Sequence, residues 1–105
     1  MAATEWIYIL RPTRLEMVTE GPTAEEAVSV GRHFEHLSKL TAEGVCCLVG
    51  RTQNNDEKTI GLCVFKAPDE SEARRIMQSD PAVIDGVMTA ELFPFRIALW
   101  HNPSE

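Results

Sequence analysis

The chain has 105 residues and a mass of 11.7 kDa, room for one ordinary domain (core about 5–100) and not for two. A chain of this size buries about two-thirds of its surface on folding, so a single core is feasible without staples. Hydrophobic residues at 44% and charged residues at 25% describe a globular chain and not a disordered one. Sixteen acids against ten bases leave a net charge of −6, which excludes a general electrostatic pull toward nucleic acid or anionic lipid.

The longest apolar runs, Trp6–Leu10 and Val45–Val49, fall far short of the roughly 20 residues of a membrane span. Glu5 stands where a signal peptide would carry a basic region, and Arg11 ends the apolar stretch early. The expectation is a cytoplasmic protein. Three cysteines, an odd number without C-x-x-C spacing, fit small buried thiols rather than a disulfide framework or a zinc site. Cys46 and Cys47 should point to opposite faces of a strand, with Cys63 opposite one of them across a hairpin.

In chain order, Glu5–Arg11 is β-branched and aromatic and reads as a strand stopped by Pro12. Arg11–Pro22 is long and irregular, a functional loop or a plain connection. Thr23-Ala-Glu-Glu is a capping-box pattern that opens a helix running to about Glu43, with Gly44 as its stop. Ala27, Val30, Phe34, Leu37 and Leu40 recur at spacings of three and four and predict one buried stripe. Val45–Arg51 and Thr59–Lys66 read as strands of an antiparallel hairpin around the polar turn Thr52–Lys58. Pro68-Asp69 opens a second helix with Ala73, Ile76 and Met77 inward, ended before Pro81. After the turn-rich Asp80–Gly86, Met88–Leu99 is the last strand, and Pro94 within it argues for an edge position or a bulge.

The order strand–helix–strand, taken twice, predicts an α+β, ferredoxin-like βαββαβ subunit: a four-stranded antiparallel sheet with two helices on one face. Alternation puts Trp6, Tyr8 and Leu10 on one side of the first strand and Ile7 and Ile9 on the other. Two helices cover one face only, so the second apolar face calls for a partner, most economically a second copy of the chain joined through the sheet.

The succession His36-Leu37-x-x-Leu40, Gly44, a strand ending in Gly50, Gly61-Leu62, Glu72-Ala73-Arg74, Asp80-Pro81 and Pro94-Phe95 resembles the YCII-related (YciI-like) family over about residues 6–97. The resemblance implies a dimeric α+β barrel. It further implies a His–Asp pair as active site, with the histidine on the first helix and the aspartate in an Asp-Pro step after the second. The matching positions are His36 and Asp80. Its best chemical hint is a dehydrochlorinase acting on a chlorinated hydroxyhydroquinone. Where many members carry Gly-Pro after the second strand, this chain has Gly50-Arg51, a difference at the pocket rim.

A histidine held by a carboxylate moves protons near neutral pH. With neither nucleophile nor electrophile implied, and with no cofactor or metal expected, the pair suits a cofactor-free lyase or isomerase acting on a small, anionic molecule. Arg11 and Arg51 end neighbouring elements and are the candidate substrate-binding cations; a solvated surface role is the plain alternative for each. Helical angles put His36 at the flank of the stripe or outside it, where a surface histidine would also sit, and put His33 nearer the stripe. Asp80 before Pro81 also has the form of a helix N-cap. His101 lies in a polar tail. The rival function is a small-molecule binding or sensing module without turnover; haem or quinol chemistry on the same barrel is a weaker third.

Overall fold

In the first strand every second side chain is buried, and that alternation sets the two faces of the sheet. The computed structural model of the chain describes residues 4–101. Strand β1 (Glu5–Pro12) buries Trp6, Tyr8 and Leu10 beneath the helices and leaves Ile7 and Ile9 half-buried on the opposite face. Next come a single helical turn α1 (Glu16–Thr19), the long helix α2 (Ala24–Ala42), and strands β2 (Cys46–Arg51) and β3 (Gly61–Lys66). Helix α3 (Glu70–Gln78), the short helix α4 (Pro81–Ile84) and strand β4 (Met88–Phe95) complete the chain. The sheet order is β2-β3-β1-β4, and every neighbouring pair is antiparallel. This is the α+β, ferredoxin-like arrangement that the element order predicts. No helix among the described residues is long and apolar enough to cross a membrane.

Local signals account for the helix boundaries. The Thr23 hydroxyl accepts from the Glu26 N–H while the Glu26 carboxylate accepts from the Thr23 N–H, the full capping box. Asp69 caps α3 by accepting from the Glu72 N–H. Gly44, at φ +80°, turns the chain out of α2. Strand β4 pairs with β1 alone and so forms an edge, where Pro94 removes no ladder hydrogen bond from a central strand.

Several details depart from the sequence reading. Strand β4 ends at Phe95 rather than Leu99, because its partner begins at Glu5, opposite Phe95, and offers nothing further to pair with. Residues 96–100 instead run beside Ile7, Leu48 and Val64 on the open face of the sheet. Thr59 belongs to the turn and not to β3: its hydroxyl accepts from the Asp56 N–H and donates to the Asn54 carbonyl. A bulge between Cys46 and Leu48 leaves Cys47 half-buried, while buried Cys46 meets Cys63 with 3.4 Å between the sulfurs.

The larger departure concerns α2. Its predicted stripe is buried only in its second half: Leu37 is 2% exposed, whereas Phe34 is 69% exposed and Ala27 is also exposed. Instead Ser29 is buried, donating to Asp85 beyond α4, and Arg32 pairs with the same carboxylate at 2.6 Å. These polar ties roll the first half of the helix toward α4, so its apolar side stands off from the sheet. Leu37→Ala should therefore cost about 2–4 kcal/mol, while Phe34→Ala should stay within about 0.5 kcal/mol. Urea denaturation of the two variants checks this, and equal losses would place Phe34 in the core.

Candidate functional site

The gap under the first half of α2 is a cleft of about 860 Å³. Its floor is the helix-facing side of the sheet, where Leu10, Gly61 and Arg51 lie side by side on β1, β3 and β2. Val30, His33 and Phe34 of α2 form one wall, and the segment carrying α1 closes another with Met17 and Val18. That segment is pinned at its start. Thr13 bonds to Gly86 and Val87 through its hydroxyl and N–H, and the Arg14 guanidinium grips Glu26 with two bonds of 2.9 and 2.7 Å. The Arg14 hydrogen bond, with the Thr23 N–H, holds the Glu26 carboxyl down at about 2.

Behind His33, outside the cleft lining itself, lies a buried carboxylate. Asp80 is fully buried and caps α4: its Oδ1 accepts from the Ala82 N–H at 3.0 Å, while Pro81 occupies the first helical position and has no N–H to satisfy. Tyr8, also fully buried, donates its hydroxyl to Asp80 Oδ2 at 2.7 Å. The third donor is His33 of α2, whose Nδ1 lies 2.7 Å from Oδ1 and 2.9 Å from Oδ2. An ionised carboxylate only accepts, so Nδ1 carries the proton and Nε2 is the ring nitrogen left for the cleft that His33 lines. Burial pushes the Asp80 carboxyl up, but the hydrogen bonds from His33 and Tyr8 outweigh it and hold the group below the usual carboxylate range. Burial, with the nearby Cys63 and Asp80, pushes the Tyr8 phenol up, so its hydroxyl remains a donor.

The expected pairing of His36 with Asp80 is not the one formed. His36 lies almost one turn beyond His33, half-buried, with its Nε2 enclosed and unpartnered among the described residues. His33 takes its place because the roll of α2 turns the Ser29–Arg32–His33 side toward α4 and Asp80. The helical angles, which set His33 nearer the stripe than His36, were the signal available in the sequence. Asp80 meets His33 behind the cleft lining and is an N-cap as well. Of the candidate cations, Arg51 lines the cleft, whereas Arg11 lies outside it and pairs with Glu91 at 3.4 Å on the surface. The alternation of the first strand sets the face on which Tyr8 lies, but nothing in that pattern marks its hydroxyl as the second anchor of the aspartate. Among the described residues no three His, Cys, Asp or Glu side chains group as a metal site.

With Nδ1 bound to a carboxylate, the His33 imidazole can accept a proton at Nε2 and hold it as an imidazolium. That serves proton abstraction, tautomerisation or elimination. Tyr8→Phe should destabilise the fold by about 1–3 kcal/mol at neutral pH, since a buried carboxylate loses one donor. Asp80 and Glu26 titrate below the ordinary 3.8 and 4.5, so their stabilisation is complete above those values and is lost as the pH falls through the lower folded-state values. The gap between native protein and Tyr8→Phe should therefore narrow toward pH 2 in urea titrations. A gap independent of pH would assign the loss to packing alone.

Residues 11–96 match the model of the YCII-related domain. The fold is similar to that of 5-chloro-2-hydroxyhydroquinone dehydrochlorinase (TftG) from Burkholderia phenoliruptrix AC1100, solved in complex with 2,5-dihydroxybenzoquinone. The TM-score is 0.61 at 15% sequence identity, over 87% of this chain and 93% of that one. No curated protein matches the chain. Because the domain match covers most of the chain, including the Asp80-Pro81 cap and His33 on the long helix, the chain belongs to the YCII-related family.

Proposed function

We propose that the chain is a cofactor-free acid/base catalyst, a lyase or isomerase, in which His33 Nε2 takes a proton from a small molecule in the cleft and Asp80 orients the ring. The observation that carries this reading is the 2.7 Å contact between Asp80 and His33, the histidine that lines a cleft large enough for a small substrate. In an elimination, Nε2 removes a proton, the electron pair it leaves forms the new double bond, and a leaving group such as chloride departs with its own pair. The imidazolium then returns its proton to solvent, and Asp80, which stays ionised, stabilises the charged ring in between.

The structural likeness to a dehydrochlorinase makes 5-chloro-2-hydroxyhydroquinone the first probe. Chloride release should fall about 10²-fold or more in His33→Gln and stay within about threefold in His36→Gln. The reverse pattern overturns the assignment of His33. Saturable binding of 2,5-dihydroxybenzoquinone, with no chloride release and no proton exchange into any bound ligand, favours the other reading, a binding or sensing module.

We also infer that the working unit is a homodimer joined through the open sheet face. Leu48, Phe93 and Phe95 are exposed there beside Ile7 and Val64, and Leu99 and Trp100 of the segment crossing it are 93% and 60% exposed. A single chain gains nothing by presenting so many large apolar side chains together. Sedimentation equilibrium should give twice the 11.7 kDa chain mass, and Leu48→Glu with Phe93→Glu, both on exposed positions, should return the mass of one folded chain. A native protein that sediments as a single chain at tens of micromolar defeats the dimer.

A further inference from the structure

The charge on the lining of the cleft is opposite to that of the chain; the Asp80 carboxylate lies behind His33, outside that lining. The sequence carries sixteen acids and ten bases, yet the residues lining the cleft include no Asp or Glu, and the ionisable ones among them are Arg51 and His33. Arg51 and Arg96 differ from the other five arginines, and of these two it is Arg51 that lines the cleft. Arg11, Arg14, Arg32, Arg74 and Arg75 each face a carboxylate within 4 Å. Arg51 has no ion pair among the described residues. Its Nε donates to the Thr52 carbonyl at 2.9 Å and its Nη2 to Asn55 Oδ1 at 2.7 Å. Those neutral acceptors hold the planar guanidinium in one orientation without cancelling its charge, and its remaining N–H groups stay available.

Most of the other lining is apolar. Leu10, Met17, Val30, Phe34, Ile60 and Met88 supply hydrophobic surface from every side. Such a cavity favours a hydrocarbon skeleton. One guanidinium neutralises one negative charge and leaves the second charge of a phosphate monoester uncompensated.

We propose that the cleft selects an apolar, ring-sized molecule carrying a single negatively charged oxygen group, with that group held by Arg51 and the reacting end at His33. The proposal rests on the reading of this cleft as the substrate site and names the class of molecule it takes. Arg51 sets affinity for the anion and His33 does the proton transfer, so the two roles separate by mutation.

Binding measured by calorimetry, with no turnover required, tests it. The probes are 1-naphthoate, the isosteric neutral 1-naphthamide, and 1-naphthyl phosphate. Native protein should bind the carboxylate at least tenfold more tightly than the amide and more tightly than the phosphate ester. Arg51→Gln should bring carboxylate and amide to within about twofold without weakening the amide, and Arg51→Lys should keep part of the preference. Arg51 is exposed, so these variants should fold, and circular dichroism checks that they do. Equal binding of carboxylate and amide by native protein, a preference that survives Arg51→Gln, or tightest binding of the phosphate each overturns the proposal. A charge preference without any His33-dependent turnover would leave this proposal standing and defeat the catalytic reading; turnover without charge preference would do the opposite.

Discussion

One buried carboxylate organises the helical layer of this molecule. Taking an ionised Asp80 out of water costs several kcal/mol unless each lone-pair direction finds a donor. The donors come from three places far apart in sequence: Tyr8 on the central strand β1, His33 on α2, and the Ala82 N–H at the start of α4. Satisfying that single group therefore fixes the sheet, the long helix and the α3–α4 junction relative to one another. The hydrogen bonds also hold the carboxyl ionised against its own burial.

The cleft is the geometric consequence. A helix tied to α4 by Ser29, Arg32 and His33 cannot also press Ala27, Val30 and Phe34 onto the sheet. Space opens between them, and the Arg14–Glu26 pair and Thr13 hold the α1 segment across one side of it. Stability and site are thus made from the same contacts. The apolar side chains that a tighter fold would have buried here line the cavity instead, which explains why a helix of ordinary amphipathic pattern leaves a large phenylalanine in solvent.

Much of this was legible in one dimension, and the failures are informative. The alternation of β1, the capping box at Thr23, the stop at Gly44 and the edge position implied by Pro94 all depend on neighbours in sequence, and all are found. The end of β4 is not written in its own spacing, because a strand lasts only as long as its partner, and the partner's first residue is ninety positions away. The stripe on α2 was misjudged because hydrophobic periodicity counts apolar faces and is blind to polar ties; Ser29 and Arg32 look like solvated positions until Asp85 is placed beside them. The same roll of the helix brings His33 to Asp80 and leaves His36 behind.

What the sequence by itself determined was the order of the strands and the two main helices, the two faces of the first strand and the family resemblance that points to the Asp80-Pro81 step, because the first two are written in local spacing and the third in a succession of short motifs. Which histidine meets that aspartate, that Tyr8 holds its other oxygen, and that Arg51 rather than Arg11 faces the cleft were decided only in the tertiary structure. The rotation of a helix about its own axis is set by the sum of its contacts with distant elements, and here a few polar contacts to α4 and Asp80 outweigh the apolar stripe.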